Sequence, residues 1–232
     1  MYSSDKIISI RTSDIYTHAY EKTAPLITVC IATYNRANLL LTRSLRSVIN
    51  QTYTNLQIIV IGDGCTDNTE DIVRSFDDPR IHFENLPQHG MYPTDPYQRW
   101  QVAGTIPLNR ALELATGDFV THLDDDDEFV PHRIERLVEY AISTKADFIF
   151  HPFYWECSPS QWTINDARSL EHSNVTTSSV FYHHWFKYVP WDLNAYLIGE
   201  PGDWNRFKKV KELGAKTVRC PDVLTLKFNF SR

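Results

Sequence analysis

Between residues 26 and 142, signals for buried strands alternate with signals for helices, and this alternation constrains the fold more than any other feature of the sequence. Apolar, β-branched runs of strand length alternate with segments whose apolar residues recur at helical spacing. Repeated strand–helix units predict an α/β fold whose strands run parallel and are joined by right-handed crossovers. The predicted strands cover residues 26–33, 56–61, 80–84 and 119–123, and the predicted helices cover 38–50, 67–76, 106–115 and 131–142.

Length and composition predict one ordinary globular domain. The chain has 232 residues, of which 42% are apolar and 22% charged, values typical of a soluble protein with a real core. Its formal net charge of −6 gives no overall attraction to nucleic acid, so we expect no nucleic-acid partner. The dense basic stretch is interpreted as the solvated face of a C-terminal helix, with peripheral membrane contact as the alternative. Its residues are Arg206, Lys208, Lys209, Lys211 and Lys216.

The cysteine pattern and the N-terminal sequence favour a cytoplasmic protein. The four cysteines form no C-x-x-C pair, which argues against a structural zinc site and against a dense disulfide framework. The N-terminal residues contain no apolar core of a signal peptide, and no run of about 18 apolar residues occurs. We therefore expect a chain that is neither exported by that route nor anchored by a spanning helix.

Three polar clusters follow predicted strands directly. They are residues 33–36 after the first strand, 62–64 after the second and 124–127 after a later one. In an open parallel sheet, ligands bind at the carboxyl ends of the strands, so these clusters are expected to share one crevice. Residues 85–104, which contain three prolines, are predicted to form a long loop over that edge.

The acidic run has two readings from its residues alone. Four adjacent carboxylates repel one another unless water or a cation neutralises them, and Mg²⁺ or Mn²⁺ prefers such oxygen ligands. An exposed acidic start for the following helix is the alternative. Asp63, between two glycines, could point its carboxylate into the crevice or serve only as a turn residue. Tyr34 could stack on a base or fill the core.

Taken together, three segments resemble the family 2 glycosyltransferases of the GT-A fold. They are ITVCIATYNR, QTYTNLQIIVIGDGCTDNT and NRALELATGDFVTHLDDDDEFVP, in that order, and the resemblance is strong over residues 26–142. It implies a Rossmann-like, mostly parallel sheet flanked by helices, with a smaller mixed lobe on the acceptor side. It also implies a single domain over 1–232, with an N-terminal extension (1–24), a nucleotide-sugar-binding half (25–127) and an acceptor-binding half (128–232).

The same resemblance assigns roles to residues at the strand ends. Tyr34 and Asp63 would hold the nucleotide base, with Thr33 and Arg36 close by. Asp124-x-Asp126 looks like the D-x-D motif of the family, in which the last aspartate binds the metal, Mn²⁺ or Mg²⁺, and the middle position lies near the ribose. The residues so assigned are Asp124 and Asp125 for the nucleotide sugar and Asp126 for the metal, and Asp127 matches a further aspartate common in the family.

The sequence departs from the family pattern at several positions. Gly62 stands where an acid is usual. Leu108 stands where an arginine is frequent, which leaves Arg99 or Arg110 as candidate diphosphate contacts. A histidine that sometimes assists the metal is absent around residues 227–229.

The resemblance also implies a catalytic base in the second half of the chain, just before a helix. The matching stretch is GEPGDW at residues 199–204. Asp203 fits best, because it lies next to the helix and to Trp204, and Glu200 is the reserve. An aspartate that caps the helix is the structural alternative, and it is compatible with the catalytic role.

The resemblance implies an inverting transfer of a sugar from a nucleoside diphosphate sugar, with UDP favoured, to a hydroxyl of a saccharide or lipid-linked acceptor. Surface polysaccharide or glycoconjugate synthesis is the expected setting. A catalytically inactive nucleotide- or saccharide-binding module of the same fold is the alternative. A phosphotransferase with an aspartate nucleophile is disfavoured, because its acidic motif would follow the first strand, where residues 33–36 stand instead.

Overall fold

The computed structural model describes residues 4–230, and within them the chain forms two β-sheets and their flanking helices. The strands are β1 Ile27–Thr33, β2 Leu56–Gly62, β3 Ile81–Asn85, β4 Phe119–Asp124, β5 Glu128–Phe129, β6 Phe148–Phe150, β7 Phe153–Ser158, β8 Gln161–Asn165, β9 Val180–His183, β10 Thr217–Arg219 and β11 Thr225–Lys227. The α-helices are α1 Ser4–Arg11, α2 Asp14–Glu21, α3 Ala37–Thr42, α4 Ser44–Ile49, α5 Thr69–Arg74, α6 Pro96–Val102, α7 Thr105–Leu114, α8 Arg133–Thr144, α9 Gly202–Phe207 and α10 Lys209–Glu212. Short 3-10 helices occupy Thr177–Ser179, His184–Tyr188 and Ala195–Ile198.

The larger sheet has seven strands in the order β10-β6-β9-β4-β1-β2-β3. Neighbours β4, β1, β2 and β3 run parallel, and so do β10 and β6. Strand β9 is antiparallel to both β4 and β6, which it joins. The predicted α/β fold with a mostly parallel sheet is therefore confirmed.

The core lies on both faces of this sheet, because successive side chains of a strand point to opposite faces. Val29 and Ile58 pack in one layer, with Leu137 of α8. Cys30 and Ile59 pack in the other layer, with α7 and the aromatic residues of the second half. Strands buried on both faces read as continuous apolar runs, which is why β1 and β2 were recognisable from sequence.

The smaller sheet has the order β5-β11-β7-β8 and mixes parallel with antiparallel pairs. It forms the smaller mixed lobe that the resemblance implied. Strand β11 is antiparallel to β5, which begins directly after the acidic run. This pairing brings the C-terminal segment of the described chain beside residues 124–127.

Two elements differ from the prediction. The single helix predicted over 38–50 is broken into α3 and α4 at Arg43, whose backbone leaves helical geometry (φ −129°, ψ −88°). The long loop predicted over 85–104 contains α6, which begins at a proline and is capped by Asp95 accepting the N–H of Gln98 at 2.9 Å. Proline is favoured at the first turn of a helix, so its density in this segment did not exclude one.

The solvated-face interpretation of the basic stretch is wrong for Arg206. Its side chain is fully buried, and its guanidinium donates to the carbonyl oxygens of Val189 and Phe186 and to the Tyr182 hydroxyl. A guanidinium has five donors, so it can satisfy several buried carbonyl groups at once. Lys211 of α10 is exposed, as predicted, whereas Lys208 and Lys209 are half-buried and the exposed Lys216 lies beyond the helix.

The segment predicted as an N-terminal extension, residues 1–24, forms α1 and α2 in its described part, and its first three residues lie outside the described range. The Tyr20 hydroxyl donates to the carbonyl of Ala146, and Lys22 pairs with Asp118 at 2.7 Å. Among residues 4–230, no helix is long and apolar enough to cross a membrane.

Candidate active site

A cavity of about 890 Å³ opens where β1, β2 and β4 end. The structure brings together at its wall most of the site residues predicted from sequence, whereas the reserve base Glu200, the candidate Arg110 and the motif residue Asp127 do not line it. The predicted residues at the wall include Thr33, Tyr34, Arg36, Asp63, Asp124, Asp125, Asp126 and Asp203. The parallel strand order explains the clustering, because residues far apart in sequence follow adjacent strands.

One end of the cavity is built around Asp63, which is buried directly after β2. Its backbone N–H donates to the Thr33 carbonyl at 2.8 Å, which continues the β1–β2 ladder. Its carboxylate accepts the Tyr92 hydroxyl at 2.8 Å and the Gly90 N–H at 3.1 Å. Asp63 is thus held as a hydrogen-bond acceptor at the cavity wall.

His89 joins Asp63 to Tyr34. Its Nδ1 lies 3.2 Å from the Asp63 carboxylate, and its ring stacks on the Tyr34 ring with centroids 3.9 Å apart and planes at 26°. Sequence reasoning missed His89 and Tyr92, because isolated residues in a segment without periodicity carry no signal of their own. Their place in residues 85–104, predicted to cover this edge, was the available indication.

At the acidic run, Arg36 binds two carboxylates at once. Its Nη1 lies 2.9 Å from Asp125 Oδ1 and 2.9 Å from Asp126 Oδ2. Burial raises the pKa of Asp125 to about 6, against the opposing effect of Arg36. The pKa of Arg36 is itself raised, because the two carboxylates outweigh the effect of burial.

Lys227 of β11 approaches the same run from the other side. Its Nζ lies 3.3 Å from Asp124 Oδ2 and 3.5 Å from Asp127 Oδ2. Burial alone would lower the pKa of Lys227, but the carboxylates, Asp127 foremost, raise it above its usual range, so the side chain is an ammonium ion. No histidine stands at residues 227–229, and Lys227 is the residue of this segment that reaches the run.

Asp127 has a structural role, because its carboxylate holds other segments of the chain by hydrogen bonds. It is fully buried and accepts the Ser178 hydroxyl at 2.7 Å and the Phe228 N–H at 3.1 Å. Burial raises the pKa of its carboxyl, and Lys227 opposes that rise. Unlike Asp124 and Asp126, it does not line the cavity.

The donor set of the run fits a hard divalent cation. Carboxylate oxygens of Asp124, Asp126 and Asp127 lie within 4.8 Å of one another. Mg²⁺ and Mn²⁺ sites commonly use one or two protein carboxylates and complete the shell with water and phosphate oxygens. Asp124 and Asp126 face the cavity and could hold such an ion, whereas Asp127 already serves Ser178 and Phe228.

Asp203 and Glu200 differ clearly in their surroundings. Burial raises the pKa of Asp203, the nearby charge of Asp124 adds to the rise, and the Trp204 N–H at 2.7 Å opposes it. For Glu200, burial acts in the same direction, but hydrogen bonds from Lys208 and Asn205 outweigh it and lower the pKa. Asp203 lines the cavity, while Glu200 is occupied in an ion pair with Lys208 and does not line it.

The two candidate arginines are also distinguished. Arg110 donates through three hydrogen bonds to Glu84 and also pairs with Glu113, and it does not line the cavity. Arg99 of α6 does line the cavity, and its guanidinium donates to the Thr94 carbonyl. Of the two, only Arg99 is placed to meet a ligand there.

Comparison with known families gives one match that covers most of the chain. The family model described as "Glycosyl transferase family 2" matches residues 28–92 and 99–189. The matched residues include β1, β2 and β4 with the polar clusters that follow them.

Comparison with individual proteins agrees. The chain is 33% identical over 120 residues to the GalNAc(5)-diNAcBac-PP-undecaprenol beta-1,3-glucosyltransferase of Campylobacter jejuni subsp. jejuni, which covers 50% of this chain and 35% of that protein. It spans between about a third and a half of the length of the first curated relatives it matches.

Two solved structures share the fold. S. aureus TarS in complex with UDP superposes with a TM-score of 0.69 at 16% identity, over 87% of this chain and 60% of that one. Mannosyltransferase PcManGT from Pyrobaculum calidifontis, in complex with GDP-Man and Mn²⁺, has a TM-score of 0.59 at 16% identity, over 96% and 68% of the two chains.

Proposed function

The chain belongs to glycosyl transferase family 2 and has the GT-A fold, and from this we propose that it transfers a sugar from a nucleoside diphosphate sugar to an acceptor hydroxyl with inversion at the anomeric carbon. The observation that carries the proposal is the shared cavity, whose wall includes Tyr34 and Asp63, the Asp124–Asp126 pair and Asp203. An end that can bind the nucleotide base, a metal-binding motif and a half-buried carboxylate are the parts that this reaction needs.

In the proposed mechanism, the base of the donor stacks near Tyr34, and its imide donates to Asp63. Asp125, the middle position of the motif, accepts a hydrogen bond from the ribose. Asp203 accepts the proton of the acceptor hydroxyl as that oxygen attacks the anomeric carbon, so the carboxylate must be ionised and within hydrogen-bond reach. A raised pKa brings its basicity closer to neutral pH, which favours proton transfer.

Asp126, with Asp124 beside it, would hold Mn²⁺ or Mg²⁺. When bound, such an ion supplies Lewis-acid stabilisation of the departing diphosphate. Since Arg36 contacts Asp126 in this structure, binding of the ion requires the Arg36 contact to loosen or to be shared. Arg36 would then remain close to the diphosphate as a second positive charge.

We propose UDP as the preferred nucleotide and a saccharide or lipid-linked hydroxyl as the acceptor, in surface polysaccharide or glycoconjugate synthesis. The UDP complex of TarS and the undecaprenol-linked substrate in the name of the Campylobacter relative support this choice. Residues 25–127 would bind the donor and residues 128–232 the acceptor, with Asp203 at their common cavity.

A thermal-shift screen tests the proposal. UDP, GDP and dTDP are each added with Mn²⁺ or with chelator, and the melting temperature is measured. A ligand that binds only the folded chain stabilises it by RT ln(1 + [L]/Kd), or about 2.7 kcal/mol at a hundredfold excess over Kd. We expect the largest shift with UDP and Mn²⁺. No shift with any nucleotide would contradict the proposal, and a shift without sugar transfer would favour an inactive binding module.

A further inference from the structure

We propose that Lys227 is a diphosphate-binding residue, so that the chain retains part of its nucleotide affinity without a divalent metal. The inference rests on the proposed function, because it concerns the donor diphosphate. Three observations carry it: the position of Lys227 at the cavity wall, its fixation by β11, and the balance of charge at the acidic run.

The position of the ammonium group is the first observation. Lys227 lines the cavity, whereas its ion-pair partner Asp127 lies behind it and does not. Its contacts with Asp124 and Asp127, at 3.3 and 3.5 Å, are longer than the roughly 2.7–2.9 Å typical of charge-assisted hydrogen bonds. An ammonium has three N–H donors, so it can hold both carboxylates loosely and still donate to a phosphate oxygen.

The backbone around Lys227 is fixed by hydrogen bonds. Lys227 pairs with Trp155 in the parallel β11–β7 ladder. The Phe228 N–H donates to Asp127, and the N–H groups of Asn229 and Phe230 donate to Glu156 at 3.0 and 2.9 Å. A charged group held in place before the ligand arrives loses little entropy on binding.

The third observation is the charge at this edge. The four aspartates 124–127 outnumber the two cations that contact them, Arg36 and Lys227, so the run is net negative when its carboxyl groups are ionised. A diphosphate anion approaching this edge needs positive charge directed at it. Arg36 is engaged at 2.9 Å with two carboxylates, whereas Lys227 contacts its two carboxylates at 3.3 and 3.5 Å and so can turn toward a phosphate more easily.

The experiment measures nucleotide affinity by calorimetry in Mn²⁺ and in chelator. The probe is UDP, and wild type is compared with Lys227→Met, which keeps an unbranched side chain that is one atom shorter and removes the charge. Lys211→Met is the matched control, since it removes an exposed lysine of α10 outside the cavity. Melting curves verify that each variant is folded.

We expect wild type and Lys211→Met to bind UDP in chelator, more weakly than in Mn²⁺. Lys227→Met should bind about 10- to 100-fold more weakly than wild type in both conditions, the loss expected for one hydrogen bond to a charged group. Lys227→Arg, which retains the charge, should restore most of the affinity in chelator.

Two results would overturn the inference: no UDP binding by wild type in chelator, or equal binding by wild type and Lys227→Met in chelator. A loss confined to Mn²⁺ would show instead that Lys227 only orders the carboxylates. In all these cases binding in Mn²⁺ would leave the proposed function standing, whereas wild type that binds no nucleotide at all would refute both.

If Lys227→Met does not fold because Asp127 is left without a counter-charge, the pair Asp127→Asn and Asp127→Asn/Lys227→Met replaces the comparison. The double variant removes both charges of the buried pair, and Asp127→Asn alone supplies its reference. The expected 10- to 100-fold difference in chelator, about that of one charge-assisted hydrogen bond, applies to this pair as well.

Discussion

At the scale of single residues, Asp203 and Glu200 show how neighbours decide between two candidate bases. Both are acids close to the start of α9. The Glu200 carboxylate accepts hydrogen bonds from Lys208 and Asn205, which stabilise its charged form and make it a poorer base. Asp203 is half-buried at the cavity wall, where its charged form is less well solvated.

Replacing Asp203 by asparagine should lower turnover by about 10²- to 10⁴-fold, the range for loss of a general base. UDP affinity should change little, because Asp203 is assigned to the acceptor hydroxyl. Turnover and UDP binding are measured on the same preparations, with Glu200→Gln as the matched control. Near-normal turnover in Asp203→Asn, or a large loss in Glu200→Gln, would refute the assignment.

The pH dependence follows from the same carboxyl group. The base accepts a proton only when ionised, so the rate should fall as the pH falls through the pKa of Asp203. Since burial raises that pKa, the loss of activity should begin at a higher pH than the ordinary aspartate value of about 3.9 would give. A pH–rate profile measures this, and the residual rate of Asp203→Asn should lack the same acid limb.

The sequence was sufficient to predict site residues such as Asp63 and Asp126, because each lies in a motif formed by its own neighbours along the chain. It did not identify Lys227, whose importance depends on pairing between β11 and β5 and hence on contacts about 100 residues apart. The family pattern marks residues 227–229 as a place for a histidine, but it assigns no role to the lysine found there. His89 was missed for a similar reason, because its stacking on Tyr34 exists only in the folded chain.

At the scale of elements, the turn after β2 depends on Gly64. Its φ of +69° lies in the left-handed region, and a Cβ there would approach the His89 backbone nitrogen to 2.2 Å. The turn therefore presents Asp63 and supports the segment that carries His89 and Tyr92. The glycine-rich turn was visible in the sequence, but the segment that packs on it was not.

Gly64→Ala should destabilise the fold and weaken UDP binding, since the segment with His89 and Tyr92 must move. Gly214→Ala is the matched control, because Gly214 also has positive φ (+62°) and no atom within 4 Å of an added Cβ. The control should cost about 1–2 kcal/mol of backbone strain. Gly64→Ala should cost about 1–3 kcal/mol more, the usual range for overpacking. Urea denaturation of both variants measures the difference, and equal losses would contradict this account.

Strand and helix periodicity located the elements of residues 26–142 well, because buried parallel strands and amphipathic helices have distinct apolar patterns. Prediction was weaker beyond residue 150, where strands are short and aromatic side chains fill the core without a clear period. Strand β9, for example, has four residues, and all of them are buried. No repeat of two or of 3.6 can be recognised over so few positions.

At the scale of the whole molecule, the two halves assigned to donor and acceptor share one sheet. Strand β9, from the second half, lies between β4 of the first half and β6 of the second. Arg206 and Tyr182 extend this connection through the core, since Arg206 joins α9 to β9. The seven-stranded sheet therefore joins the two halves, and the cavity is lined by residues that follow its strands and by residues of the smaller sheet, such as Trp155 and Lys227.

Because the seven-stranded sheet contains strands from both sides of residue 128, the chain should unfold in one cooperative transition. Far-UV and near-UV circular dichroism should give the same midpoint in urea, as expected of a two-state domain. Intrinsic fluorescence reports mainly the second half, since five of the six tryptophans follow residue 128. A fluorescence midpoint clearly different from that of far-UV circular dichroism would show that the halves unfold separately.

The His89 ring covers the face of Tyr34 on which the nucleotide base is proposed to stack, so His89 competes with the base for that face. A nucleotide base that binds on that face replaces the imidazole ring, so its affinity reports the difference between two stacks. The measured affinity falls as the fraction of sites covered by His89 rises. Entry must also wait for the imidazole to rotate away. His89→Ala should thus admit UDP faster and bind it more tightly, which stopped-flow and calorimetric measurements can detect.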